Sequence, residues 1–176
     1  VVPLKHLSAG LFVASLALAN AAHAEINADA ITGGKPPAVL SDFGFFDDLP
    51  AQTPAEGVLP YDLITPLFTD YAEKLRFVYV PEGEAAPYNP DDVFDLPVGA
   101  ALIKTFAHPE DARAPTKNLR LIETRILAHT PKGWRTYPYV WNADMTDASL
   151  SPLGAKMDVS WITTEGTSRT IRYAVP

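Results

Sequence analysis

Residues 118–141 read NLRLIETRILAHTPKGWRTYPYVW, and this stretch decides the fold class. Its first half is the longest candidate strand in the chain, and its second half is a run of aromatic and β-branched residues. Between them, the triplet Pro131–Lys132–Gly133 is a signal for a hairpin turn. The sequence therefore predicts an antiparallel hairpin with a long first strand and an aromatic second strand.

Shorter strand patterns lie on both sides of this hairpin. KLRFVYV at 74–80 and ALIKTF at 101–106 precede it, and a short strand is expected at 92–96 before a turn at 97–99. A second hairpin is expected from KMDVSWITT and SRTIRYAV, which flank the turn EGT at 165–167. Short strands separated by Gly and Pro turns, without βαβ alternation, predict an all-β antiparallel sandwich or barrel-like domain.

Two irregular segments precede the β domain, which is predicted to span 61–176. Residues 25–60 form a Pro- and Gly-rich extended lead-in, whose cluster Phe43, Phe45 and Phe46 is expected to dock on the domain as a short turn or a single helical turn. At most one short helix is expected, after Pro66, because proline is favourable at the first helical position.

Residues 1–24 have the layout of a secretory signal peptide. Lys5 and His6 are followed by an apolar run and by the small-residue site Ala22–His23–Ala24. Cleavage is predicted after Ala24, which implies a periplasmic or secreted protein without a membrane anchor, because the apolar run is shorter than the roughly 20 residues that span a bilayer. The opening Val1 suggests an alternative start codon or a clipped 5′ end.

Charge and cysteine content exclude several classes of function. The formal net charge of −7 disfavours binding to nucleic acid or to an anionic membrane. The chain has no cysteine, so it contains no cysteine nucleophile, no iron–sulfur ligand set and no CxxCH haem attachment within these residues. The spacing of His and acidic residues also predicts no metal site.

One group of charged residues is a candidate site. Glu123 and Arg125 are two apart on the long strand and therefore share a face, and Lys104 lies in the middle of the preceding strand. The group could serve an exported hydrolase, or it could be a partly buried ion-pair network. The second interpretation is favoured, because no second carboxylate at an acid–base spacing and no activated nucleophile accompany it.

The aromatic strand offers another candidate. Tyr137, Tyr139 and Trp141 share one face, and the polar residues Asn142 and Asp144 follow at once. The rings could stack a sugar while the polar side chains accept hydroxyl hydrogen bonds, or they could face the core and run into an Asx-type turn. The core interpretation is favoured, because aromatic side chains bury large areas and stabilise cross-strand contacts.

Four segments together resemble a known family: VLPYDLITPLFTDYAEKLRFVYVPEG at 58–83, FDLPVGAALIKTF at 94–106, ETRIL at 123–127 and YVWNADMTDASL at 139–150. They are similar to the N-terminal β-rich region of the SO-type diheme c-type cytochrome family, which comprises exported bacterial haem proteins of largely unknown function. The resemblance covers roughly residues 40–176. It implies that the chain stops before the first CxxCH, that haem c belongs to the full-length context, and that no haem-site residue lies within this chain.

The resemblance implies a function in electron transfer. The chain is expected to be an exported, non-catalytic β domain that packs against or docks with haem domains absent from it, and its acidic surface is expected to suit a basic partner. The alternative is a module that binds carbohydrate or another small ligand through the aromatic strand face. Lys104, Glu123, Arg125, Trp141 and Asn142 fall within the matching segments, without a role assigned by the family.

Overall fold

The computed structural model describes residues 25–69 and 71–176, and the predicted signal peptide at 1–24 lies outside these residues. The described residues form one α-helix, one 3₁₀ turn and ten strands. In chain order these are α1 (Ala28–Thr32), the 3₁₀ turn (Leu40–Phe43), β1 (Phe46–Asp48), β2 (Thr53–Pro54), β3 (Val58–Pro60), β4 (Glu73–Tyr79), β5 (Ala101–Pro109), β6 (Leu119–Thr130), β7 (Gly133–Trp141), β8 (Ala148–Leu150), β9 (Ala155–Ile162) and β10 (Ser168–Val175).

A six-stranded antiparallel sheet is the main element of the fold. Its strands follow one another in chain order, β3–β4–β5–β6–β7–β8. The predicted hairpin of β6 and β7 lies within it, and the turn ends at Gly133, whose φ of 94° suits a residue without Cβ. The predicted all-β antiparallel class is confirmed.

The N-terminal segment covers one face of this sheet. The predicted phenylalanine cluster docks there as a 3₁₀ turn, and Phe43, Phe45 and Phe46 are all buried. Phe43 meets Tyr139 of β7 edge-on at 5.8 Å between ring centroids, and Phe46 meets Phe77 of β4 at 5.1 Å. Residues of the expected lead-in therefore supply seven of the 17 buried residues of the main hydrophobic core.

The second hairpin, β9 and β10, covers the other face. Its buried residues Val159, Tyr173 and Val175 pack with Ile122 of β6 into a smaller core. The two strands pair antiparallel from Ala155–Val175 to Ile162–Ser168, which confirms the predicted second hairpin. The backbone N–H of Ala112 donates to the carbonyl of Ile162 at 2.8 Å and fixes the hairpin to the loop that follows β5.

A β-bulge in β6 changes the faces that simple alternation predicts. Phe106 of β5 pairs with Glu123, whereas its neighbour Ala107 pairs with Leu121, so Ile122 is the extra residue. Alternation places Leu121 on the face of Glu123, but Leu121 lies in the main core and Ile122 in the smaller core. Simple alternation was therefore wrong for the part of β6 that precedes the bulge. One inserted residue moves the side chains of all earlier residues in the strand to the opposite face of the sheet.

Two local predictions were also wrong. Residues 61–69 contain no helix after Pro66, because most of their apolar side chains are exposed and a short helix without tertiary packing is unstable. Residues 92–96 form no strand, since Pro90 and Pro97 bracket them and the exposed Val93 and Phe94 have no buried face to join.

Candidate functional site

Three cations lie side by side across the centre of the main sheet. Arg76 of β4 pairs with Lys104 of β5, and Lys104 pairs with Arg125 of β6, so the three occupy directly opposite positions. Cβ atoms at such positions are about 4.5–5.5 Å apart, and like charges there destabilise a sheet. We call these residues the cationic row. Three adjacent cations in a chain of net charge −7 are costly for folding, which makes them a candidate site.

The two outer members of the row are neutralised by carboxylates. Arg76 is buried and pairs with the exposed Asp62 at 3.2 Å. Arg125 is held by Glu123 through two hydrogen bonds, one from Nε to Oε2 at 2.9 Å and one from Nη2 to Oε1. The bidentate geometry is the strong form of an arginine–carboxylate pair, and it raises the pKa of Arg125.

The central member of the row has no such carboxylate within residues 25–69 and 71–176. Among the residues that the structure describes, none forms a hydrogen bond or an ion pair with the Lys104 ammonium. Nζ of Lys104 lies 5.2 Å from the ring centroid of Phe106, and Cζ of Arg125 lies 4.5 Å from the same centroid. The aromatic face attracts both cations but does not cancel their charges.

The environment of Lys104 disfavours its charged form. Its pKa is lowered, first by partial burial and then by repulsion from Arg125, Arg76 and Lys74, while Glu123 acts in the opposite direction. Repulsion by three cations exceeds the compensation from one carboxylate that already pairs with Arg125. Among the residues that the structure describes, the row therefore carries a positive charge centred on Lys104 that no ion pair compensates.

Glu123 is a fully buried carboxylate that accepts three hydrogen bonds from two residues. Besides Arg125, it accepts a hydrogen bond of 2.6 Å from the hydroxyl of Tyr173 on β10. Burial and the adjacent Glu123 raise the pKa of Tyr173. The expectation that Glu123 and Arg125 form an ion pair within a partly buried network is confirmed. A buried carboxylate whose oxygens are both occupied acts as a structural anchor.

The cationic row borders a cleft of about 610 Å³ between the sheet, β10 and the end of the segment 61–69. This volume is within the range of small-ligand sites, roughly 300–1,000 Å³. We call it the basic cleft. It is lined by Leu67, Phe68, Thr69, Lys74, Lys104, Phe106, Arg125, Ile171, Arg172, Tyr173 and Ala174. Lys74 donates a hydrogen bond to the Leu67 carbonyl, which ties the segment to β4 at the mouth of the cleft.

Exposed apolar side chains line the segment beside this cleft. Phe68 contacts Tyr71 edge-on at 5.2 Å between ring centroids, and Tyr71 in turn lies 5.8 Å from the buried Trp161 of β9. The segment is therefore anchored to the domain although its outer surface faces solvent. We call its exposed members the apolar strip: Leu63, Ile64, Leu67, Phe68 and Tyr71.

The aromatic strand belongs to the core. Tyr139 is fully buried and donates a hydrogen bond of 2.9 Å to the Pro37 carbonyl, while Trp141 donates from Nε1 to Oγ1 of Thr124 at 3.0 Å. Tyr137 is half-buried and packs against the same core. The core interpretation of this strand is confirmed, and the rings offer no exposed platform for a sugar.

Asn142 closes the turn between β7 and β8. Its Oδ1 accepts a hydrogen bond of 3.0 Å from the backbone N–H of Thr146, and its Nδ2 donates to the Thr146 hydroxyl at 2.9 Å. The predicted turn is confirmed, but its Asx-type form is not, because the Asn142 side chain bonds the backbone four residues on instead of two. Asn142 therefore lies outside the basic cleft.

Sequence reasoning brought Lys104, Glu123 and Arg125 together but missed several neighbours. Arg76, Lys74 and Phe106 were assigned to strands without a role, and Arg172 and Tyr173 come from the second hairpin. The alternation of basic residues in KLRFVYV was a usable signal. The register that aligns Arg76 with Lys104 had no usable signal in the sequence. The long irregular connection between β4 and β5 carries no turn signal that would fix how the two strands pair.

Comparison of the chain with protein-family models, with curated proteins and with solved structures finds no match. Among residues 25–69 and 71–176, His, Asp and Glu side chains form no group of three or more that could hold a metal ion. Within the same residues, no helix has both the length and the apolar character required to cross a membrane.

Proposed function

We propose that this chain is an exported, non-catalytic β domain that docks with a c-type cytochrome domain and so supports electron transfer. The observation that carries the proposal is the apolar strip, which presents large apolar side chains to solvent beside the cationic row. The resemblance to the N-terminal region of diheme cytochromes supports the identity of the partner. Haem would belong to that partner, because covalent attachment needs cysteines that this chain lacks.

The apolar strip has the properties of a docking surface. Ile64 is fully exposed, and Leu67 and Phe68 are 81% and 75% exposed. Clusters of exposed apolar side chains beside polar residues are typical of protein–protein contacts, in which aromatic anchors contribute most of the binding energy. Two contacts among the described residues hold the strip in place: the ring of Tyr71 packs on Trp161, and Lys74 donates a hydrogen bond to the Leu67 carbonyl. Less conformational entropy is therefore lost on binding.

The local charge favours a partner with an acidic contact face. The net charge of the chain is negative, which by itself suits a basic partner. The strip, however, lies beside Lys74, Lys104 and Arg125. The carboxylates of Asp62 and Glu73 also border the strip, but Asp62 pairs with Arg76 and Glu73 acts on Lys74. Lys104, which pairs with no described carboxylate, therefore supplies the excess positive charge within a Debye length of about 8–10 Å. We therefore assign an acidic docking face to the cytochrome.

The proposal is tested by titrating the purified chain into two soluble probes, an acidic diheme c-type cytochrome and a basic monohaem cytochrome c, and measuring binding by calorimetry. We expect salt-sensitive binding to the acidic probe and weaker binding to the basic one. Ile64→Ser should weaken binding to the acidic probe about tenfold, which corresponds to about 1.4 kcal/mol.

The matched control is Val93→Ser. Val93 is 82% exposed in the loop after β4, whereas the apolar strip precedes β4, so the two sites lie at opposite ends of this strand. The control variant should bind like the unmodified chain. Equal effects of the two substitutions, or no binding of the acidic cytochrome at low salt, would overturn the proposal.

A further inference from the structure

We infer that the basic cleft binds an organic carboxylate with an apolar body, and that Lys104 is the contact for its carboxylate group. The described residues that line the cleft suffice for the inference, which goes beyond the proposed docking and does not depend on it.

The cations around the cleft differ in how their charges are compensated. Arg125 is paired with Glu123, and Arg172 pairs with Asp158 at 3.1 Å on the outer surface of the second hairpin. Lys74 donates to a backbone carbonyl, which accepts a hydrogen bond but carries no full charge. Among the described residues, the Lys104 ammonium has one polar or aromatic partner, which is the ring of Phe106. An incoming anion is therefore attracted to Lys104.

The walls of the cleft select the rest of the ligand. Phe106 lies on the sheet side, Leu67 and Phe68 lie at the mouth, and Ile171 lies on the β10 side. These side chains offer apolar contacts around a cationic centre. A ligand that satisfies both features has a hydrocarbon body and one anionic end. Inorganic phosphate has no such body, which is why the cleft favours an organic carboxylate.

Partial burial strengthens the expected contact. Lys104 is half-buried, and charge–charge attraction is several times larger near an effective dielectric constant of about 20 than in bulk water. A bound carboxylate would also offset the repulsion among Lys104, Arg76 and Arg125, which the free protein already tolerates. Binding should therefore stabilise the folded chain as well as fill the cleft.

The test uses octanoate as the probe, with octylammonium and inorganic phosphate as the comparison ligands, and measures binding by calorimetry and by the shift in Tm. We expect saturable binding of octanoate, weaker binding of phosphate and no binding of octylammonium. Lys104→Met should reduce the affinity for octanoate at least tenfold. Lys132→Met, at an exposed lysine in the turn between β6 and β7, is the matched control and should bind normally.

Every other outcome contradicts the inference in a specific way. Equal binding of octanoate and octylammonium would indicate nonspecific apolar binding, and equal binding of phosphate would indicate a simple anion site. Octanoate binding that survives Lys104→Met, or no binding at all, would overturn the inference directly. Ile64 does not line the cleft, so Ile64→Ser should leave octanoate binding unchanged, and failure of the docking proposal is therefore distinguishable from failure of this one.

Discussion

The hydroxyl of Tyr173 donates a hydrogen bond of 2.6 Å to Oε1 of Glu123, and this buried contact joins the second hairpin to the main sheet. The same carboxylate is gripped by Arg125 from the adjacent position on its own face of β6. One side chain therefore neutralises the end of the cationic row and also anchors β10. Removal of the Glu123, Arg125 or Tyr173 side chain is expected to affect both the stability of the domain and the shape of the basic cleft.

Glu123→Gln should strongly destabilise the domain. The amide keeps the size of the side chain but leaves the Arg125 guanidinium without a counter-charge and places an NH₂ group against hydrogen-bond donors. Breaking a buried ion pair in this way costs about 3 kcal/mol. Denaturant unfolding of the two proteins measures the difference, and an unfolding free energy within about 0.5 kcal/mol of the unmodified chain would contradict the anchoring role.

Tyr173→Phe should cost less, about 1–2 kcal/mol, because it removes one hydrogen bond to a charged acceptor and keeps the ring. The two substitutions share a contact, so their effects should not add in the double variant. A double-mutant cycle by denaturant unfolding gives the coupling energy. Strict additivity would show that the hydrogen bond between Tyr173 and Glu123 contributes nothing to stability.

Alkaline conditions should unfold the domain through two buried tyrosines. Burial is the first cause that raises the pKa of both Tyr139 and Tyr173 above the ordinary value of 10.0. The unfolded chain ionises its tyrosines first, so the stabilisation is complete below pH 10.0 and is lost progressively as the pH rises above it. Unfolding free energies measured across this range should fall with pH.

Unfolding free energies of tyrosine variants over the same pH range show which tyrosine causes the loss of stability. Tyr139→Phe and Tyr173→Phe should each flatten the decline above pH 10.0, because the variant no longer has that ionisable group. Tyr88→Phe serves as the control, since Tyr88 is 78% exposed and its hydroxyl meets water in both states. If the unfolding free energy still declines above pH 10.0 in the double variant Tyr139→Phe/Tyr173→Phe, other groups cause the alkaline unfolding.

Lys104→Met should raise the stability of the free protein at neutral pH by about 0.5 kcal/mol, because it removes like-charge repulsion from two cross-strand pairs. The pKa of Lys104 is lowered in the folded state, so its charged form costs stability at neutral pH, and this cost is relieved as the pH rises through the lowered value toward 10.5. The gain from Lys104→Met should shrink over the same range. Lower stability of Lys104→Met at neutral pH would contradict an uncompensated charge at this position.

The features that the sequence alone predicted correctly are those with a signal in neighbouring residues. Gly133 after a Pro–Lys pair predicted the central hairpin, and the period-2 pattern predicted that Glu123 and Arg125 share a face. The aromatic content of β7 predicted that Tyr139 and Trp141 are buried. Each of these conclusions needs only neighbours in the chain, because strand geometry alternates side chains with a fixed period.

The errors arose where nonlocal contacts decide. The bulge at Ile122 exchanges faces because Ile122 completes the core beneath the second hairpin, which begins more than thirty residues later. The segment after Pro66 has acceptable helical signals but no surface on which to bury a helical face, so it stays irregular. Propensity is a weak signal at such positions, and tertiary packing overrides it.

The sequence by itself determined the all-β class, the two hairpins, and the proximity of Glu123 and Arg125 on the long strand. Only the tertiary structure decided that Arg76, Lys104 and Arg125 stand in one row, that Tyr173 reaches Glu123, and that an apolar strip borders the resulting cleft. The physical reason is the range of the interactions. Hairpins and alternation follow from local backbone geometry, whereas strand register and the docking of a distant hairpin depend on burying side chains across the whole domain.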